Sequence, residues 1–399
     1  MTTTKLQTLL GRVGVSSNSS RHVRSTPRWH ALAFQGCLLL GVAAETTLAD
    51  RIVVWGCGAN SCDGEEVQPP DLPLVSQIAA GVHHAAAMKP DQSVVLWGRG
   101  SENAPNGLIH HRFQSILPSD IQSVASLAGG GTHWVALLPD GSVRAWGSGT
   151  LNTGLDQQHG QSIVPADLGT CVQVAAGNAH SLALTSSNAV VAWGYNGFQQ
   201  CNVPSGLPPV AQIAAAGYAS YTLDTQGAVK VWGRNAGGQL APPAGLPVLV
   251  KIAPGLDHVV GLTPSGQLVA WGSNVHQQVS GVPSGTFTAV CSGLFHSVAI
   301  RSDRTVVAWG SNDHGQCDVP ATLGRCKQVV AGRHFSLALT LLPCVGDTNG
   351  DGRHSGLDIA ALFAVYGTSD PICDLDGNGI VDSIDFTILL AAWGSCPDE

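Results

Sequence analysis

Short apolar runs separated by polar breaks recur along most of this chain. Around residues 175–194, the apolar runs Val174–Leu184 and Val190–Trp193 flank a polar break at Ser186–Asn188. This pattern predicts two β-strands joined by a tight turn. Bulky and small side chains alternate from His180 to Leu184, so one face of the strand is bulky and the other nearly flat. We therefore expect sheets that stack face to face and are buried on both sides.

The same phrase returns seven times. A tryptophan-glycine step recurs at intervals of 38 to 49 residues, and a Gly-x-x-His phrase precedes it in most copies. In two copies the phrase departs, because Gly217 leads to Ser220 and Gly332 leads to Phe335. A period in this range indicates a solenoid or a propeller. The repeated residues are Trp55, Trp97, Trp146, Trp193, Trp232, Trp271 and Trp309, with His84, His133, His180, His258 and His296.

The two ends of the repeat array are incomplete in complementary ways. The array begins with an isolated strand, Arg51–Trp55, and ends with Val329–Leu342, which lacks the tryptophan strand that normally follows. A ring in which the first strand completes the last blade removes both open edges, which would otherwise invite aggregation. An open solenoid would need polar capping repeats, and none is visible. The sequence predicts an all-β, seven-bladed β-propeller closed by its N-terminal strand, with three or four strands per blade.

The repeat resembles that of the regulator of chromosome condensation family. The shared phrase is Val-Val-Ala-Trp-Gly, then Asn and Gln three and seven residues beyond Trp, then Ala-Ala-Gly-x-x-His-Ser-Leu-Ala-Leu. The short period is similar to that of the secreted bacterial members. The resemblance implies the propeller fold and leaves function open, because function depends on loops grafted on the scaffold. The Asn/Gln pairs are Asn196/Gln200, Asn235/Gln239, Asn274/Gln278 and Asn312/Gln316.

Residues that recur in every blade are expected to hold the fold. We therefore interpret the repeated histidines as residues that stabilise turns, and the tryptophans as packing residues at blade junctions. Binding residues are expected where the copies differ, above all in the long insertions Arg99–Gln122 and Ser148–Gly169. The first insertion contains a candidate contact patch, which consists of His110, His111, Arg112 and Phe113.

After Leu342 the composition becomes acidic, and two segments present oxygen side chains at loop positions 1, 3, 5, 9 and 12. Gly352 and Gly379 stand at position 6, where the calcium loop of an EF-hand requires a sharp turn. The spacing predicts two Ca²⁺ sites, with a backbone carbonyl ligand at position 7. The predicted ligands are Asp347, Asn349, Asp351, Arg353 (carbonyl), Ser355 and Asp358 in the first loop, and Asp374, Asp376, Asn378, Ile380 (carbonyl), Asp382 and Asp385 in the second.

Each acidic loop runs into a predicted helix, and no helix precedes either loop. Ile359, Leu362, Phe363 and Tyr366 share one helical face, as do Phe386, Leu389, Leu390 and Trp393. Two loop-helix halves with aspartate at position 12 resemble a dockerin, so the resemblance implies a cohesin-like receptor as a partner of residues 344–399. His354 departs from the aliphatic residue usual at position 8 of the loop, which predicts a weaker first site.

The first 49 residues have the pattern of an export signal. They carry five basic side chains and one acidic one, and an apolar run, Ala31–Ala44, that is short for a membrane span. An organellar transit peptide is the alternative. Secretion would favour disulfides, and Cys57/Cys62 and Cys317/Cys326 are close enough in sequence to pair. Cys344, Cys373 and Cys396 suggest a further clasp near the ends of the acidic module.

The formal charge of −8 argues against nucleic acid as a partner, because an acidic surface repels phosphate backbones. We predict a leader (1–49), a propeller (50–343) and a dockerin-like domain (344–399). The protein is expected to be a bacterial monomer that is secreted or associated with the cell surface, without a membrane span after signal removal. The leading hypothesis is a non-enzymatic scaffold that binds a protein or a glycan. The alternatives are a polysaccharide-degrading enzyme with paired carboxylates and a nuclear-type exchange or chromatin factor.

Overall fold

The computed structural model describes residues 52–57, 64–65, 68–69, 72, 75–99, 114–154, 157–341, 346–348, 354–370, 373–376 and 378–393. The chain divides into two compact units, Met1–Thr47 and Leu48–Glu399. The first unit, which contains most of the predicted leader, lies outside the described residues, and so does the candidate patch at residues 110–113.

The described residues of the second unit form seven antiparallel sheets of three strands each, which are the blades of a propeller. Blade one is β2 (Gln77–Ala80), β3 (His84–Met88) and β4 (Val94–Gly98); blade two is β5 (Ser126–Gly129), β6 (His133–Leu137) and β7 (Val143–Gly147); blade three is β8 (Cys171–Ala176), β9 (His180–Thr185) and β10 (Val190–Gly194); blade four is β11 (Val210–Ala216), β12 (Ala219–Asp224) and β13 (Val229–Gly233). Blade five is β14 (Lys251–Pro254), β15 (His258–Leu262) and β16 (Leu268–Gly272); blade six is β17 (Phe287–Ser292), β18 (His296–Arg301) and β19 (Val306–Gly310); blade seven is β20 (Cys326–Ala331), β21 (Phe335–Thr340) and β1 (Ile52–Gly56).

The apolar core lies between neighbouring sheets. The middle strand of each blade is buried along its length, as in β9, because blades cover it on both sides. One apolar cluster joins Leu337 and Phe335 of blade seven to Ile78 and Ala85 of blade one. Others join successive blades in the same way, so the bulky-and-small alternation read from the sequence corresponds to packing between sheets.

The ring is closed by the N-terminal strand, as predicted. Strand β1 pairs antiparallel with β21, with Ile52 opposite Leu339 and Gly56 opposite Phe335. The neighbouring junction is clamped by Gln328 of β20, whose side chain accepts a hydrogen bond from Ile78 N (2.8 Å) and donates one to Ile78 O (2.7 Å). Among the described residues every blade has three strands, the lower of the two predicted numbers.

The C-terminal acidic region forms two helices, α1 (Gly356–Ala364) and α2 (Ser383–Ala391). Each begins with a capping box, in which Ser355 or Asp382 is the N-cap and Asp358 or Asp385 the partner. Their small core contains Leu362, Cys373, Val381 and Leu389. The predicted apolar faces are only partly buried, because each nine-residue helix buries only a narrow stripe of its surface against this small core. Phe363, Tyr366, Leu390 and Trp393 remain about half exposed.

The disulfide prediction for Cys317 and Cys326 is wrong, since both thiols are free. Cys317 follows the turn at Gln316 and its thiol donates to Ser311 O, whereas Cys326 begins β20. They are nine positions apart along the chain but lie near opposite ends of β21. Gln316, next to Cys317, contacts Ser336 at the start of that strand, whereas Cys326 pairs with Thr340 at its end. Cys57 is disulfide-bonded to a partner outside the described residues, and Cys373 is a free, buried thiol.

No helix in the described part of the chain has the length and apolar character needed to cross a membrane.

Candidate functional site

Two sets of connections lie together at one edge of every blade, and we call this surface the loop face. In each blade the first residue of the middle strand pairs with the last residue of the outer strand, as in His180 with Gly194. The Gly-x-x-His loops and the segments after each Trp-Gly therefore meet on the loop face. The turns between middle and outer strands, such as the one at residues 186–189, lie on the opposite edge, which we call the turn face.

The repeated histidines join one blade to the next. Nε2 of His133, His180, His258 and His296 lies 2.9–3.0 Å from a serine Oγ of the following blade. In three of these four pairs the serine hydroxyl donates to a glutamine carbonyl, so the imidazole Nε2–H donates to the serine. Burial lowers the pKa of these histidines to about 3 or 4. They are neutral at physiological pH, and each has its own partner. The serines are Ser181, Ser220, Ser297 and Ser336.

The other three junctions replace this hydrogen bond by an apolar or aromatic contact. Phe335 occupies the histidine place in blade seven and shares a core cluster with Ala85, which occupies the serine place in blade one. His84 meets Trp134 edge-on, with ring centroids 4.5 Å apart. In blade four the loop is one residue shorter, so Ala219 and not Ser220 takes the histidine place. Gly217 therefore stands two residues before the histidine place of blade four, where the other copies have three.

The repeated tryptophans are also structural. All seven donate their indole N–H to the backbone carbonyl of a buried residue in the turn that precedes the tryptophan's own blade, at 2.9–3.2 Å. That residue is glutamine in six cases and Glu65 in the first. The Asn/Gln pairs hold the same turn, as where Asn196 Oδ1 accepts from Cys201 N and Gln200 Oε1 accepts from Phe198 N. These contacts agree with the interpretation of the tryptophans as structural residues. They also give the Asn/Gln pairs a structural role.

The loop face carries aromatic side chains where the copies differ. Tyr195, Phe198 and Tyr218 pack on one another with centroids 5.4–6.0 Å apart and interplanar angles of 51–71°. His159, from the second insertion, packs on Tyr195 at 4.7 Å. Arg234 lies over the Phe198 ring at 5.9 Å. We call these five residues the aromatic cluster. Phe198 is 42 % exposed, so the cluster is open to a ligand.

Arg234 is fixed in turn by an acidic neighbour. Its Nη1 lies 3.6 Å from Asp257 Oδ1, and the same oxygen accepts a hydrogen bond from Gln239 Nε2 at 2.9 Å. A guanidinium that is oriented by a carboxylate and stacked on a ring keeps one arrangement before a ligand arrives. Interfaces concentrate binding energy in such Tyr, Phe and Arg side chains.

Two cavities open at the centre of the ring. One, of about 180 Å³, is lined by the inner strand ends of all seven blades, mostly glycine and alanine. The other, of about 250 Å³, lies on the loop face, and we call it the loop-face recess. It is lined by Val82, His83, Arg99, Gly131, Thr132, Gln157, His159, Asn178, Ala179, Tyr218 and Arg333. The second insertion thus contributes to this surface, whereas most of the first lies outside the described residues.

The second acidic loop brings three carboxylates together. Ligand oxygens of Asp374, Asp376 and Asp385 all lie within 4.8 Å of one another. Gly379 has φ +89°, a left-handed conformation that its position in the loop requires. Asp374 accepts from Gly379 N and Asp385 from Leu375 N, while Asp382 caps α2. Asn378 and Ile380 lie in the same loop, where Ile380 N donates to Asn378 Oδ1.

The first acidic loop is described only at its ends. Asp347 is nearly buried and its Oδ2 lies 3.7 Å from Nη1 of Arg325, which belongs to the propeller. Ser355 N donates to Asp358 Oδ2 at 2.7 Å, and Asp358 is fully buried. Asn349, Asp351 and Arg353 lie outside the described residues. The structure therefore gives no geometry for half of the predicted first site.

Comparisons with known proteins place this architecture. Residues 171–200 and 287–316 match the model of the regulator of chromosome condensation (RCC1) repeat. Prp20p from Saccharomyces cerevisiae, which is the yeast RCC1, is similar in structure, with a TM-score of 0.59 and 20 % identity over 74 % of this chain and 93 % of that one. The fold is an RCC1-type β-propeller.

Two further solved structures are similar in fold. Human WBSCR16 has a TM-score of 0.57 and 17 % identity over 73 % of this chain and 99 % of its own. The ectodomain of the Arabidopsis thaliana receptor kinase ACR4 has a TM-score of 0.51 and 21 % identity, covering 67 % and 93 %. At these identities the likeness concerns the fold alone. A search of curated proteins gave no match.

Sequence reasoning did not find the aromatic cluster or the loop-face recess. Tyr195 follows a Trp-Gly step where three other copies of the repeat have serine, namely Ser148, Ser273 and Ser311. Phe198 and Tyr218 likewise stand at variable places of the repeat. Aligning the seven copies and asking which variable positions are aromatic or basic would have found these residues.

Proposed function

We propose that the chain is a non-enzymatic binding scaffold whose loop face recognises a protein ligand and whose C-terminal helix pair is a calcium-dependent, dockerin-like attachment module. The single observation that carries the first half is the aromatic cluster, whose Phe198 is 42 % exposed and which is built from the variable positions of an otherwise regular ring. Because the repeated residues hold the blades together, the variable loop positions are free to specify a ligand.

The geometry of the aromatic cluster favours a protein over a glycan. Its rings pack edge-on or tilted, and one face of Phe198 is covered by Arg234. The rings therefore do not form a flat surface on which a sugar ring could stack. With Arg234 they form an aromatic surface with a cationic edge, which suits a pocket or side chains on a protein partner. Prp20p, which shares the fold, is described as binding Gsp1p and histones.

The calcium half of the proposal is supported by the donor set of the second acidic loop. Oxygen ligands from flexible loops suit Ca²⁺, whereas Mg²⁺ prefers a smaller octahedron that keeps several waters. Three converging carboxylates would repel one another without a cation between them. Asp374, Asp376, Asn378, Ile380 (carbonyl), Asp382 and Asp385 would hold one ion, and Asp347, Asn349, Asp351, Arg353 (carbonyl), Ser355 and Asp358 the other.

We further propose that the protein is secreted, with residues 1–49 as its leader, and that residues 344–399 dock onto a cohesin-like receptor of a surface-bound or extracellular complex. An oxidising compartment is consistent with the disulfide at Cys57. A polysaccharide-degrading enzyme would need two facing carboxyl groups. Among the described residues neither central cavity is lined by Asp or Glu, so no observation favours that alternative.

Selection of random peptides and probing of a glycan array, both with the full chain, test the ligand-binding half. We expect peptides whose binding weakens at least tenfold in Phe198→Ala, because truncation removes the exposed ring of the cluster. The matched control is Val172→Ala on the turn-face end of β8, where Val172 is 58 % exposed. Equal loss in both variants, or binding to glycans alone, would contradict a protein-binding loop face.

A further inference from the structure

The loop-face recess brings two arginines from different blades to one place. The backbone N–H of Arg99 donates to His83 O at 2.8 Å, and that of Arg333 donates to Val82 O at 3.1 Å. Consecutive carbonyls of a single loop thus anchor both residues, and both line the same cavity of about 250 Å³. Val82 N also donates to Gly130 O, so the anchoring loop is held by its neighbour blade.

The recess is a cationic spot on an acidic protein. Its described lining contains two arginines and two histidines, His83 and His159, and no carboxylate, although the chain has 27 acidic and 19 basic residues. His83 is itself paired with an acid, since its Nδ1 lies 3.4 Å from the buried carboxylate of Glu65. Burial, followed by the charges of His314, Arg333 and His83 and opposed by Asp313, lowers the pKa of His334 to about 4. Burial and the cationic neighbours together disfavour a positive charge on His334.

The recess also offers neutral hydrogen-bonding groups and a fixed wall. Thr132 Oγ1 donates to Gln157 Oε1 at 2.9 Å, which ties the second insertion to blade two. Asn178 and Tyr218 line the recess from two further blades. Guanidinium groups recognise carboxylates through paired N–H donors, and a preorganised site loses little entropy on binding.

The size of the recess limits what it accepts. About 250 Å³ is less than the roughly 300–1,000 Å³ typical of pockets that enclose a whole small molecule. A single side chain fits better than a sugar chain. His159 and Tyr218 belong both to the recess and to the aromatic cluster, so a ligand on the cluster reaches the recess directly.

We propose that the loop-face recess is a carboxylate subsite, in which Arg99 and Arg333 bind an aspartate or glutamate side chain of the protein ligand whose other residues contact the aromatic cluster. This inference rests on the proposed function and specifies the chemistry of the ligand. It adds two residues that the aromatic cluster does not include.

The test uses random 12-residue peptides displayed on phage, selected against the full chain, with the winners remade synthetically. We expect each winner to contain an acidic residue whose replacement by Asn or Gln weakens binding at least tenfold. Arg99→Gln and Arg333→Gln should each weaken the acidic peptide at least fivefold and leave the amide peptide unchanged. Arg333→Lys should lose less than Arg333→Gln, because the charge remains and the paired donors do not.

The matched control is Arg144→Gln, since Arg144 is 51 % exposed on β7 and pairs with Asp120. Thermal unfolding of each variant separates lost binding from lost folding. Peptides that need Phe198 but neither an acid nor the arginines would overturn the carboxylate subsite and leave the proposed function standing. Failure to select any peptide, or arginine-dependent binding of polygalacturonate in place of peptides, would overturn both.

Discussion

At the scale of single residues, the blade junctions obey a pairing rule. At four of the seven junctions a histidine in one blade is matched by a serine in the next. At the other three an apolar or aromatic contact takes the place of this hydrogen bond, since Phe335 shares a cluster with Ala85, Ala219 shares one with Val259, and His84 packs on Trp134. The histidine ring also explains the glycine three residues before it, because a Cβ on Gly177 would clash with the His180 ring. The ring and its glycine therefore constrain each other.

The pairing rule predicts a rescue. Ser181→Ala should lower the free energy of unfolding by about 1–3 kcal/mol, because the buried Nε2–H of His133 loses its acceptor. Adding His133→Phe recreates the combination found at Phe335 and Ala85, so the double variant should recover at least half of that loss. Urea unfolding of the single and double variants measures the coupling. Strictly additive losses would contradict the rule.

At the scale of elements, the hairpins and the acidic loops could be predicted from the sequence, whereas the contacts between blades could not. The Trp-Gly and Gly-x-x-His phrases predicted the hairpins because both strands and their turn lie within about 20 residues. The histidine and serine partners lie 39 to 48 residues apart, so no local pattern shows them. The two acidic loops could be predicted as candidate Ca²⁺ sites for the opposite reason, since the proposed ligands of each loop fall within 12 residues.

The loop before α2 carries its own prediction. Asp376→Asn should weaken Ca²⁺ binding by the full chain at least tenfold, because it removes one charge from the carboxylate group while keeping an oxygen that can accept from Asn378 N. Calorimetry with Ca²⁺ and then Mg²⁺ measures the effect, and two Ca²⁺ per chain are expected. Asp167→Asn, at an exposed aspartate of the propeller, is the control. Unchanged affinity, or no heat with Ca²⁺ in wild type, would reject the site.

At the scale of the whole molecule, closure joins the two ends of the repeat array. The complementary incomplete ends predicted this pairing, because a ring is the arrangement that leaves neither end exposed. The aromatic cluster and the recess could not be predicted in the same way. Tyr195, Tyr218 and Arg333 come from three blades, and only closing the ring brings the last blade beside the first.

Removing the closing strand should be costly. A chain that starts at residue 58 loses the burial of Ile52 and Trp55, worth roughly 2–3 kcal/mol each, and exposes the edge of β21. We expect a lower free energy of unfolding in urea and self-association in light scattering. A chain that starts at residue 51 keeps β1 and should match the full chain. Cys57→Ser in the longer chain isolates the contribution of the disulfide, and equal stability of both truncations would argue against closure.

The direction in which the chain leaves the ring has a consequence for how the protein can work. Strand β21 starts at the loop face, where Phe335 pairs with Gly56, and it ends at the turn face, where Thr340 pairs with Cys326. Arg325, which contacts Asp347, lies at that same edge. A receptor that grips the C-terminal module and a ligand seated on the loops would thus approach from opposite sides. Under the proposed function neither would compete with the other, and the molecule would connect two partners, one on each side, at the same time.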